Sequence, residues 1–214
     1  NLRTLIPSLI LKRAMPQITD PYPLIKQKLT RYSTGVAMTT KRLGIINDIN
    51  KNTAYTLGML SNLGRCAVTR LYFKLFDKIQ LHLLKECQKD KEQKRHEALL
   101  KITPSANHLI AMQQEFADAV SADIMEWMNL KRLPIASPMR DCANKIPAES
   151  GSLCKVLHQA RSYTQVRMLH QLKLVEMKDV KPLFVEQKYP QGALEKLKTI
   201  DIFTLPLVKN EDSH

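Results

Sequence analysis

The sequence predicts an all-α protein: an irregular bundle of four to six helices, one of them long, with a basic extended N-terminal arm and a loosely ordered C-terminal tail. Three observations carry this. Glycine is scarce at six residues and aromatics make up only 6%, against abundant Leu, Lys, Gln, Met and Ala, whose side chains lose little rotamer freedom in a helix. Apolar residues recur at steps of three and four over long stretches. Prolines fall in groups that punctuate these stretches, at Pro16, Pro21 and Pro23, at Pro104, and at Pro134, Pro138 and Pro147 with Gly151. The resulting organisation is an arm over 1–35, a helical domain over 36–200 with a sub-boundary in the loop near 134–151, and a tail over 201–214.

The elements follow in order. From Val36 to Ile102 two helices are expected, or one broken near Gly58 or Gly64, because glycine does not suit a helix interior. In the second, Val68, Tyr72, Phe76, Ile79, Leu83 and Cys87 define a core face that Leu71 and Leu75 widen. Its polar continuation through Glu97 is expected to project into solvent or against a partner, with Asp90 and Lys94, and Glu92 and Arg95, spaced to pair. Ser105 caps a helix from Ala106 to about Leu130, with Leu109, Met112, Phe116, Val120, Ile124 and Trp127 facing the core. Glu115, Asp118 and Glu126 lie opposite, as an acidic helix suited to docking a basic segment internally. Ser152 begins a helix to about Met177, with Leu153, Val156, Leu157, Ala160, Met168, Leu174 and Val175 inward. A short helix is expected over 191–199, then an apolar segment and an acidic end.

The net charge of +13 raises the odds of an anionic partner. The excess is concentrated at the amino end, where residues 1–47 hold eight basic side chains and one acidic. The first 17 residues, with Leu, Arg and a serine and free of acid, fit two readings: an organellar transit segment, hence a mitochondrial location, or a basic arm. No apolar run is long enough to span a membrane. The four cysteines match no zinc-ligand spacing. Cys66 and Cys87 read as small core residues. Cys142 and Cys154 flank the Pro147/Gly151 loop and are placed to be bridged, but with no secretory signal in view free thiols in a reducing, intracellular compartment are expected.

Catalytic signatures fail on inspection. His96-Glu97 begins the metallohydrolase pattern H-E-x-x-H but lacks its second histidine. His158 and His170, twelve residues apart, stand about 120° apart on a helix and read as polar-face residues. The scattered glycines form neither a P-loop nor a dinucleotide fingerprint, and no G-x-S-x-G elbow occurs. No cofactor is expected. The Leu60–Leu71 segment has the small-residue turn of a helix-turn-helix but looks about two residues too short. Tyr72, Phe73 and Phe76 lie among Arg70, Lys74 and Lys78, a spacing that fits core packing better than a base-stacking platform.

What remains is a non-enzymatic basic helical subunit that contacts nucleic-acid phosphates, RNA ahead of DNA, among other protein subunits of an assembly such as an organellar ribonucleoprotein. The candidate contacts are Arg3, Lys12, Arg13, Lys26, Lys28, Arg31, Lys41 and Arg42, with Lys155, Arg161, Arg167 and Lys173 on a helix free of acid between Glu149 and Glu176. These last four, six residues apart, turn about the helix instead of lining one stripe. The alternative is a structural or assembly subunit of a mitochondrial membrane complex whose amphipathic N-terminus touches anionic lipid.

Overall fold

The computed structural model describes residues 2–17, 21–129, 133–146 and 152–201. Among them the protein is all-helical, with helices α1 (Leu2–Ala14), α2 (Ile25–Ile46), α3 (Lys51–Leu60), α4 (Leu63–Lys89), α5 (Gln93–Leu100), α6 (Ala106–Trp127), α7 (Ala136–Ala143), α8 (Leu153–Gln171), α9 (Met177–Glu186) and α10 (Ala193–Lys198). Ten helices replace the expected four to six. The surplus comes from the amino-terminal segment, helical over α1 and from Ile25 onward instead of extended, and from short helices in the connections. The expected tail beyond Asp201 lies outside the described residues.

Two antiparallel pairs, α2 with α3 and α4 with α6, form the body, and α8 crosses α2 while also meeting α3 and α7. The core where they converge includes Val36, Leu43, Leu57, Leu60, Met125, Leu157 and Ala160. The helix starts follow the cap chemistry: the Ser105 Oγ accepts the His108 amide and the Ser152 Oγ accepts the Lys155 amide.

Gly58 and Gly64 do not break helices. Each sits inside one, where a neighbouring helix comes so close that a Cβ has no room. A Cβ on Gly58 would lie 2.7 Å from the Cα of Ala37 on α2, and one on Gly64 would collide with the backbone of Ala117 and Ser121 on α6. The break falls between them, at buried Ser61 and Asn62, where the Ser61 hydroxyl and the Asn62 amide both donate to the carbonyl of Gly58.

The same close approach rewrites α6. Its inward face is the small strip Ala117, Ser121 and Ala122 with Met125, while Phe116 and Trp127, expected inside, are 50% and 85% exposed. On α4 the core face runs through Cys66, Phe73 and Cys87, and Ile79, expected inside, turns outward with Leu71 and Leu75. The polar continuation ends at Lys89, and α5 folds back on α4, where Gln80 donates to the carbonyls of Leu99 and Ile102. The expected Glu92–Arg95 pair is present at 2.9 Å.

Candidate nucleic-acid interface

The amino-terminal cations divide by location. Lys12 and Arg13 are exposed at the C-terminal end of α1, where the Nη1 of Arg70 donates to the Arg13 carbonyl at 3.4 Å. This contact sets the end of α1 beside the first exposed turns of α4, and a cationic side chain at a helix C-terminus also suits the dipole there. Lys26 is exposed and Lys28 half-buried in the first turn of α2, preceded by Tyr22, whose ring packs 5.9 Å from Phe73 of α4 and whose hydroxyl donates to the Pro104 carbonyl. Arg31 and Lys41 are half-buried further along α2, and Arg42 reaches the Thr199 hydroxyl near α10. The side chain of Arg3 lies outside the described residues.

The four cations of α8 are not a shared surface. Arg161 is turned inward and held by Asp118 and the Ser61 carbonyl. Arg167 lies over the ring of Tyr163 at 5.8 Å and donates to its hydroxyl. Lys155 is half-buried in the first turn, and Lys173 stands beyond the end of the helix. The reason is that α8 is buried around most of its circumference, with Cys154, Val156, Leu157, Gln159, Ala160, Tyr163, Thr164 and Val166 all inside. His158 and His170 are exposed on its polar side.

A cationic edge arises instead on α4. Arg70, Lys74, Lys78 and Lys85 are all exposed, and at steps of four, four and seven residues they fall within roughly 80° of the helix circumference. The row runs about 22 Å along the axis, and among the described residues none of the four is drawn into an ion pair. Arg13 adjoins its N-terminal end through the contact of its carbonyl with Arg70, and Lys12 precedes it on α1. Beside this row, on the next part of the circumference, Leu71, Leu75 and Ile79 form a stripe exposed by 53%, 43% and 57%. Sequence spacing names Arg70, Lys74 and Lys78 only as neighbours of aromatic residues. The four-residue step that joins them to one another, and on toward Lys85, was the available signal.

Those aromatics are structural. Phe73 is buried, and the hydroxyl of Tyr72 both accepts the Ser105 amide at 2.8 Å and donates to the Ser105 carbonyl. A helix-turn-helix use of the α3–α4 corner is ruled out by burial: Leu63, Gly64, Cys66, Val68 and Thr69, the residues that would face a groove, are inside the protein.

The acidic helix does dock internally. Asp118 of α6 meets Arg161 of α8, while Asp123 and Glu126 meet Arg140 of α7 at 2.6 and 2.7 Å. Among the described residues no three side chains are grouped to hold a metal ion, and no helix is long and apolar enough to cross a membrane. No protein family, curated protein or solved structure matches the chain.

Proposed function

We propose that the protein is a non-enzymatic, basic helical subunit that binds nucleic-acid phosphates along the exposed edge of α4. The observation that carries this is the row Arg70, Lys74, Lys78 and Lys85, solvent-facing and, among the described residues, in no ion pair, with exposed Asp77 and Leu81 beside it. A linear polyanion is matched by a linear series of cations, because each contact releases condensed counterions and long side chains adapt to the phosphate spacing. The contacts position the strand and read no bases, since the cations on this edge are lysines and one arginine on long flexible stems. Arg13, whose backbone carbonyl accepts from Arg70, and its neighbour Lys12 extend the row.

The apolar stripe of Leu71, Leu75 and Ile79 favours a second reading, in which α4 lies on an anionic membrane. An interfacial helix of that kind carries its apolar face between cationic flanks. Here cations border the stripe on one side only, and Glu86 is exposed in line with it, beyond Ile79, where it pairs with His82. A flat anionic surface pressed onto the leucines would meet that carboxylate in the middle of its contact, whereas a strand along the cationic edge meets exposed Asp77 only at its outer margin. The stripe is better suited to another protein subunit of the assembly.

Titrating the protein against single-stranded RNA, duplex DNA and anionic vesicles, each at two salt concentrations, separates these readings. Binding to nucleic acid that weakens steeply with salt is expected; binding to vesicles alone transfers the α4 face to the membrane reading.

A further inference from the structure

We propose that Cys142 and Cys154 form a reversible dithiol/disulfide site that exchanges with low-molecular-weight disulfides. Cys142 is in the last turn of α7 and Cys154 in the first turn of α8, and their sulfurs lie 2.7 Å apart. That separation leaves only a small movement to the ~2.05 Å of a bond. Both residues are held by α6: α7 through Arg140 on Asp123 and Glu126, α8 through Arg161 on Asp118. Two thiols fixed on one framework react as an intramolecular pair at high effective concentration, so ring closure outcompetes a second external thiol.

The chemistry favours ionisation of one of the two. Cys154 follows the Ser152 cap directly in the first turn of α8, where helix-terminal amides favour an anion. The hydrogen bond from Cys142 holds the Cys154 thiol below its ordinary range, and a thiolate there pushes Cys142 up. Arg161, seven residues on and so on the same side of α8, draws both sulfurs toward ionisation, against burial and the Asp118 carboxylate at both and Asp141 at Cys154. The other two cysteines are placed differently. Cys154 is buried like them, but half-buried Cys142 lies against it, whereas Cys66 packs on the Met15 sulfur at 3.8 Å and Cys87 beside Glu92, neither on a second thiol.

The exchange balances. One cysteine thiolate attacks a sulfur of R–S–S–R, forming a mixed disulfide and expelling RS⁻. The second cysteine, once deprotonated, attacks the protein sulfur of that mixed disulfide and expels the second RS⁻. Two protein thiols are oxidised, one external disulfide is reduced to two thiols, and the two protons leave with them.

The test uses the full chain equilibrated with oxidised and reduced glutathione at about 1 mM each, quenched with iodoacetamide under denaturing conditions and mapped by peptide mass spectrometry. A peptide linking Cys142 to Cys154 in more than about half of the chains is expected, reversed by dithiothreitol, with Cys66 and Cys87 recovered alkylated. The Cys142→Ser variant should carry glutathione on Cys154 in part of the chains, because no second protein thiol remains to close the ring and only free glutathione can displace it. Recovery of both Cys142 and Cys154 alkylated from the wild-type chain, or stable glutathione adducts on it, overturns the proposal.

Discussion

Arg161 of α8 holds Asp118 of α6 through both terminal nitrogens, at 2.9 and 2.8 Å, and one of these nitrogens also donates to the carbonyl of Ser61 at the corner between α3 and α4. Burial opposes the charge on Arg161 but the carboxylate outweighs it, leaving the guanidinium more firmly protonated than usual. One side chain therefore fastens three parts of the bundle. Asp118→Ala should cost about 3–5 kcal/mol, since it leaves a largely buried cation unpaired. Replacing both partners with leucine should recover much of that loss. Urea denaturation of the parent and the two variants measures it, and a loss below about 1 kcal/mol for Asp118→Ala would mean that solvent already screens the pair.

Gly64→Ala should destabilise by about 1–3 kcal/mol, although alanine is the better helix former by about 1 kcal/mol. The added methyl would meet the backbone of Ala117 and Ser121, and the Ser121 hydroxyl that accepts the Gly64 amide at 2.8 Å would be displaced. A variant as stable as the parent would show that α4 and α6 stand further apart than described.

The single tryptophan offers a simple check of the α6 register. Trp127 is 85% exposed, so its emission should be water-like and quenched readily by acrylamide in the native state. Trp127→Ala should change stability by no more than about 0.5 kcal/mol. Blue-shifted, protected emission would return Trp127 to the inward face that its spacing predicts.

Cys66 gives a pH-dependent readout. Burial pushes its thiol up to about 12 from an ordinary 9.0, so it stays protonated through the range in which an unfolded chain would ionise it. Its contribution to stability is complete below pH 9 and is lost as the pH rises toward 12. At pH 9 the native thiol should alkylate at least tenfold more slowly than in the denatured chain. Equal rates would contradict its burial.

Much of the fold was legible because it depends on local chemistry. The Ser105 cap, the start of a helix at Ser152, the helix after Pro190 and the internal use of the acidic helix all follow from spacing and residue type, although α8 stops at Gln171, short of the expected Met177, and leaves Leu174 67% exposed. What was illegible depends on how closely helices approach. Phe116 and Trp127 look like core by periodicity, but α4 reaches α6 at Gly64, and only alanine and serine fit between them. Sequence shows the glycine; it does not show that the space is taken by a backbone. The candidate site shifted for a related reason. Charge counted by segment points to the amino end, yet α2 packs into the body and α8 turns Arg161 inward. The surviving exposed row lies on α4, where the nearly equal apolar and charged positions hide which side faces water until its neighbours are known.

The most direct test of the account is the RNA affinity of the Lys74→Gln/Lys78→Gln/Lys85→Gln variant across a salt series. All three side chains are exposed, so the fold should be unaffected and circular dichroism should match the parent. Affinity should fall, and the slope of log K against log salt should decrease by about 2–3, close to one for each phosphate contact removed. An unchanged affinity and slope in the folded variant would contradict phosphate binding along α4.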